Sequence, residues 1–264
     1  MIFDCFPFFN ELDLLEIRLN TLSPYVDHFL IAESDKTFSG KDKPRYLEKN
    51  WDRFAKFHDK ITIVNYSHQG EAWATEAEAR NCLGRQVLKM SKNPRYDIVI
   101  QSDCDEVPNG LFFANPNGIG SPQSWAELNE WNIIPIAVSL DMRMFYYFLN
   151  TEKEQNWTCA TVFQVRELEN HTMQEMRRSD FPLIPNGGWH WSYLGGTEKI
   201  KEKIAAYSHQ ELNIPLHLNR IETMVNEGKD LFDRNEDVHL VSIDGTFPKW
   251  LCDNVNLYQH LIKQ

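Results

Sequence analysis

Four short apolar runs alternate with helical patterns in the first 110 residues, and this order constrains the fold more than any other feature of the chain. The runs are "MIFDCF", "VDHFLIAES", "KITIVNY" and "YDIVIQSD". Between the first two, Leu12, Leu15, Leu19 and Leu22 recur at helical spacing, with Glu11, Glu16 and Arg18 expected to face water. Asn10 is expected to cap this helix, with Asp13 as its capping-box partner. A short helix around "EKNWDRFAKF" precedes the third run. A long one, from about 71 to 90, precedes the fourth, and its inward stripe reads Trp73, Ala77, Arg80, Gly84 and Val87. The order β-α-β-(α)-β-α-β predicts an α/β fold with a mostly parallel, doubly wound, twisted sheet.

Beyond about residue 110 the pattern is less regular and richer in β-structure. A short helix is expected at "SPQSWAELNEW", strands at "IIPIAVSLDMRMFYYFL", "CATVFQV" and "DVHLVSI", and helices at "TEKIKEKIAAY" and "NVNLYQHLIK". "LIPNGGWHWSYLGG" reads as a turn-rich stretch. No repeat, linker or composition break divides the chain, so residues 1–264 read as one domain, with halves at 1–110 and 111–264.

Ligands of open α/β sheets bind beyond the carboxyl ends of the strands. Three such ends carry polar or aromatic groups: Phe8-Phe9-Asn10-Glu11, Glu33-Ser34 and Asp103-Cys104-Asp105-Glu106. Carboxylates two residues apart in a tight turn can share a hard cation such as Mg²⁺ or Mn²⁺, which keeps positions open for phosphate oxygens. They can equally solvate a strand end. Arg80, on an inward helix stripe, calls for an anionic partner, Asp103, Asp105 or a bound diphosphate, or else snorkels to the helix edge. In "GGWHWS", Trp189 and Trp191 would share one face of a strand, leaving His190 on the other to complete a metal site or meet a phosphate.

Charge narrows the partners. With 27 Lys and Arg against 38 Asp and Glu, the net charge is −11, which argues against nucleic acid and against an anionic membrane surface. Five widely spaced cysteines without a C-x-x-C pair fit the reduced thiols of a cytoplasmic protein. The N-terminus lacks the pattern of a signal peptide, and no run is long enough to predict a transmembrane segment.

These segments, in this order, resemble the GT-A glycosyltransferases. "FPFFNELDLLEIRL" is similar to their first strand, turn and helix, "VDHFLIAESDKTF" to their nucleotide-contacting second strand, and "EARNCL" with "YDIVIQSDCDE" to their Arg-Asn helix and D-x-D strand. More specifically, "LDLLEIRLNTL", "VDHFLIAESDKTFSGKDKPRYL", "DCDEVP", "GGWHWSY" and "FPKWL" resemble glycosyltransferase family seventeen, the β-1,4-mannosyl-glycoprotein N-acetylglucosaminyltransferases, across nearly the whole chain. The resemblance implies a Rossmann-like GT-A fold, a UDP-sugar donor bound by the first half, and Mn²⁺ or Mg²⁺ near the D-x-D. It also implies inverting transfer, most simply of N-acetylglucosamine from UDP-GlcNAc, to a glycan held by the second half. On this sequence Asp103, Asp105 and His190 match the metal segments, Glu33 falls where the fold reads the nucleoside, and Arg80 where it approaches the diphosphate. The animal members carry a membrane anchor and stem, whereas this chain opens directly on the catalytic segment. The acceptor is therefore left open among polysaccharide, lipid-linked and protein-linked glycans.

Inversion requires a carboxylate that deprotonates the acceptor hydroxyl from the face opposite the leaving UDP. Glu198, behind Thr197 at a helix start, is the first candidate, with Glu211 and Asp180 in reserve. Two other classes fit parts of the pattern. A metal-dependent nucleotidyltransferase would show a Gly-rich phosphate loop with Lys where "FPFFNELD" stands. A non-catalytic nucleotide-sugar or glycan-binding protein would have no need of the D-x-D and Arg80.

Overall fold

A computed structural model describes residues 1–113, 137–232, 234 and 238–264 of the chain. Among these residues ten strands form one sheet. Its first half comprises β1 (Ile2–Pro7), β2 (His28–Glu33), β3 (Ile61–Asn65) and β4 (Ile98–Gln101). They are joined through helices α1 (Leu12–Leu22), α2 (Tyr46–Lys49) and α3 (Ala72–Met90). All four strands are parallel, in the order β4-β1-β2-β3. A parallel core is buried on both faces, and β1 shows why. Ile2 and Phe6 join Leu15, Leu19 and Leu22 of α1, while Phe3 and Cys5 join Ala79, Leu83 and Val87 of α3 on the other side.

The second half continues the sheet with mixed polarity. Its strands are β5 (Glu106–Pro108), β6 (Ala137–Tyr146), β7 (Thr151–Lys153), β8 (Thr161–Gln164), β9 (Leu183–Ser192) and β10 (Val238–Leu240). Strand β8 runs antiparallel to β4 and carries the sheet on to β6, β7 and β10. Strand β9 lies parallel to β6 and antiparallel to β5. Around them sit α4 (Met173–Arg178), α5 (Gly196–Ala206), α6 (Pro215–Leu218), α7 (Ile221–Glu227) and α8 (Lys249–Asp253).

Several local expectations give way to packing. Asn10 does not cap α1: Glu11 is the N-cap residue, with no side-chain cap, and its carboxylate instead accepts the backbone N–H groups of Phe9 and Asn10 at 3.1 and 3.0 Å. Arg18 does not face water but is fully buried against Asp4, whose charge in the middle of an otherwise apolar strand demands a cation. The buried stripe of α3 runs through Thr75, Ala79, Leu83 and Val87, with Arg80 and Gly84 at its edge, so Trp73 is left 43% exposed. The stretch around "GGWHWS" is no set of turns but the ten-residue strand β9. Its glycines permit close strand approach: a side chain at 187 would meet Leu140 Cβ at 2.6 Å, and one at 188 would meet the Val107 carbonyl oxygen at 2.3 Å. Gly188 also has φ +148°. The short helix expected at 121–131 lies outside the described residues.

Candidate active site

The site is set by a topological reversal. From β1 the chain steps outward to β2 and β3, then returns through α3 to β4 on the other side of β1. The carboxyl ends of β1 and β4 therefore border the switch-point crevice, the preferred ligand site of open α/β sheets. They deliver Phe8, Phe9 and Glu11 from one strand and Asp103, Asp105 and Glu106 from the other into a cavity of about 900 Å³.

The acidic turn rests on Arg18. Its Nε and Nη2 donate to the two Asp4 oxygens at 2.8 and 2.5 Å, and Nη2 also donates to Ser102 Oγ at 2.6 Å. Nη1 donates to the backbone carbonyls of Asp103 and Glu106 at 2.8 and 2.7 Å. Every guanidinium donor is thus used, which is what a fully buried arginine requires. Glu106, also buried, closes the turn by accepting the Asp103 backbone N–H at 2.8 Å and the Trp157 indole N–H.

Above the turn, two arginines share one carboxylate. Arg80 Nη2 donates to both Asp103 oxygens at 2.8 and 3.0 Å. Arg177 Nη2 donates to Asp103 at 2.9 Å and to Glu106 at 2.7 Å. The pair meets because α3 and α4 pack closely: a side chain at Gly84 would meet Met173 Cγ at 2.7 Å, and Gln174 N–H donates to Asn81 Oδ1 at 3.0 Å. Burial opposes the charge of Asp103, but Arg177 and Arg80 outweigh it and hold the carboxyl below its usual range.

Asp105 has different partners. Lys203 Nζ, from α5, donates to its Oδ2 at 2.5 Å, and His190 Nε2 lies 3.7 Å from the same oxygen. Burial again opposes ionisation, yet Lys203 and His190 hold Asp105 well below the carboxylate range. Burial also works against the Lys203 charge, but Asp105 and Glu11 raise its pKa regardless. As the alternation of β9 predicts, Trp189 and Trp191 stack at 6.1 Å on one face, and His190 occupies the other, 4.7 Å from the Trp157 ring. His190 is buried and its Nδ1 has no hydrogen-bond partner.

The other expected residues divide. Phe8, Glu11, Arg80, Asp103, Asp105, His190 and Asp180 all line the cavity, Asp180 from an exposed position. Asn10 and Glu33 do not. The buried Glu33 carboxylate turns to the start of α2, accepting the N–H of Leu47 at 2.8 Å. Glu198 and Glu211 lie outside the cavity, their side chains 86% and 59% exposed and paired with Lys201 and His209. For Glu198 the reason is helical: Ile200 and Ile204 face the core, and a residue two positions from Ile200 points to the opposite side.

The sequence pattern places Arg18 toward water, does not single out Arg177 or Lys203, and leaves Glu106 unassigned. Asp4 was the signal for Arg18. Lys203 stands between core-facing Ile200 and Ile204, where a long stem can lie along the apolar face and bring its ammonium to the cavity. Nothing local distinguishes Arg177 from its neighbour Arg178.

Among the described residues, no three His, Cys, Asp or Glu side chains are grouped to hold a metal ion by themselves. No helix among them is long and apolar enough to cross a membrane. All five cysteines are free thiols.

Comparison with known proteins adds to this geometry. Among solved structures, a mannosyltransferase from Pyrobaculum calidifontis, in complex with GDP-Man and Mn²⁺, is similar at a TM-score of 0.36 and 17% identity, over 64% of this chain and 45% of that one. Glucosyl-3-phosphoglycerate synthase from Mycobacterium tuberculosis, with Mn²⁺, UDP-glucose and phosphoglyceric acid, is similar at 0.38 and 14%, over 96% and 91%. Both likenesses are too distant to define a site. In sequence, the β-1,4-mannosyl-glycoprotein 4-β-N-acetylglucosaminyltransferase of Rattus norvegicus is 22% identical over 96% of this chain and 53% of its own length. The Homo sapiens protein of that name is 23% identical over 75% of this chain and 41% of its own. The chain spans about half the length of the curated relatives it matches. The model of glycosyltransferase family 17 matches residues 1–242, a span that takes in the whole switch-point site, and the chain belongs to that family.

Proposed function

We propose that this protein transfers N-acetylglucosamine from UDP-GlcNAc to a hydroxyl of a glycan acceptor, with inversion at the anomeric carbon. One observation carries the reading. The Asp103-x-Asp105 turn stands at the switch point, ringed by Arg80, Arg177 and Lys203 at the cavity wall, although the chain as a whole is strongly acidic. That concentration of cations suits a diphosphate. The names of the relatives support the choice of sugar.

The donor set fits a divalent cation completed by phosphate oxygens. Asp105 and His190 converge, with His190 Nε2 standing 3.7 Å from Asp105 Oδ2 in the cavity wall. Asp105 and His190 would hold Mn²⁺ or Mg²⁺, with Asp103 reaching the nucleotide or a bound water. When bound, the metal neutralises charge on the departing UDP. The chain's own residues do the rest. Arg80 and Arg177 fix Asp103, are themselves paired with Glu76 and Glu106, and stand where a diphosphate could draw on their donors. Phe8 and Phe9 offer flat apolar surface to the nucleoside. Tyr146, Trp157 and Tyr193 line the same cavity, and the half-buried Trp157 offers an aromatic surface to an acceptor sugar. Asp180 lines the cavity from the second half and is the candidate to take the acceptor proton, whereas Glu198 and Glu211 are not among the lining residues.

A thermal-shift series of UDP-sugars with and without Mn²⁺, followed by turnover on candidate glycans, tests this. UDP-GlcNAc should raise the melting temperature chiefly when Mn²⁺ is present. A chain that responds to no UDP-sugar under either condition would sink the proposal.

A further inference from the structure

We infer that Lys203 couples metal and donor binding: it holds Asp105 while the site is free and transfers to the donor's diphosphate when the two bind together. The inference rests on the metal and UDP-sugar reading above. Its starting point is the 2.5 Å contact between Lys203 Nζ and Asp105 Oδ2. An ammonium and a divalent cation on one carboxylate oxygen would stand about 4 Å apart. At that distance like charges repel, and more strongly near a protein surface than in bulk water. A metal on Oδ2 therefore competes with Lys203, and metal alone displaces the ammonium from the carboxylate oxygen it touches. With a diphosphate present, the displaced ammonium gains a new anion.

The geometry permits the exchange without moving the helix. The C-terminal end of α5 is tied to the first half by Ser39, whose Oγ donates to the Ala205 carbonyl at 2.7 Å and whose N–H donates to the Ala206 carbonyl at 3.1 Å. The flexible stem of Lys203 supplies the reach, and its side chain is 24% exposed and lines the cavity. Binding is then reciprocal by linkage: UDP must strengthen Mn²⁺ binding by the factor by which Mn²⁺ strengthens UDP binding.

The test is Lys203→Met, read by the free-Mn²⁺ spectroscopic signal and by calorimetric UDP titration, with no turnover required. Mn²⁺ alone should bind about tenfold tighter than in the native chain, because its competitor is gone. UDP in the presence of Mn²⁺ should bind about tenfold weaker, because a phosphate partner is gone. Lys203→Arg, which keeps the charge, should leave Mn²⁺ affinity near native and guards against loss of fold in the first variant. Unchanged Mn²⁺ affinity in Lys203→Met, or a shift of both affinities in one direction, overturns the exchange. A native chain that binds no Mn²⁺ even with UDP present overturns the underlying metal reading as well.

Discussion

The two halves of the sheet hold opposite parts of the site by opposite means. In the parallel half, the carboxylates of the acidic turn sit on a floor made wholly from that half: Arg18, Asp4 and Ser102, all fully buried. Facing those carboxylates, Arg80 of α3 is joined by groups from separate elements of the mixed half, Arg177 on α4, His190 on β9 and Lys203 on α5. The parallel half thus presents the fixed carboxylates with Arg80 beside them, and the mixed half adds two further cations and an imidazole ring. A fixed anion with exchangeable counter-cations is the arrangement a charged substrate can enter by substitution rather than by burying new charge.

The largest effect should come from the fixed side. Asp105→Ala removes the carboxylate that Lys203 and His190 share, and turnover should fall about a thousandfold while circular dichroism stays native. Activity within tenfold of native would dissolve the distinction between the halves. On the other side, Gly188→Ala attacks the strand that delivers His190. With positive φ and the Val107 carbonyl in the way, it should cost about 3 kcal/mol, read as a lower denaturation midpoint. Asp180→Asn should lower kcat roughly a hundredfold with little change in melting temperature. Glu198→Gln, on the solvent side of α5, should leave kcat unaltered. Equal responses of these two would return the base assignment to the helix start.

Titration offers a finer probe. Asp103 and Asp105 have lowered folded-state pKa values, so the stability they contribute is whole above the ordinary carboxylate value of about 4 and is lost as pH falls through their lower folded values. Urea midpoints should therefore hold from pH 7 to about 5 and decline below about 4. Asp105→Asn should flatten that acid limb. An unchanged limb would mean that the turn's ion pairs contribute nothing net.

How much could be read from sequence follows the same division. In the parallel half the strands and helices announce themselves by period, because each buries one regular stripe or run, and the switch point follows from their order. Asp103, Asp105 and Arg80 were legible for that reason. In the mixed half, β9 was misread because Gly187 and Gly188 look like turn residues until β5 and β6 are known to crowd them. His190 was nevertheless given its correct face, since alternation needs only the strand itself. Arg177 and Lys203 escaped notice because their roles depend on which distant elements pack together. For Arg18 the reason is different: the leucine stripe of α1 leaves it on the outer face by period, and only Asp4 in the neighbouring strand signals that a buried partner is required.

The seat beneath the acidic turn has a consequence for how such chains can be recombined. Arg18 draws its five hydrogen bonds from β1, from Ser102 and from the turn's own carbonyls, and none from residues beyond 106. Its grip on the D-x-D backbone is therefore inherited with the first half. A hybrid that joins residues 1–113 of this chain to the second half of another family member carries the seat of the acidic turn across the junction. What it must regain from its new partner is the three-sided ring of Arg177, His190 and Lys203.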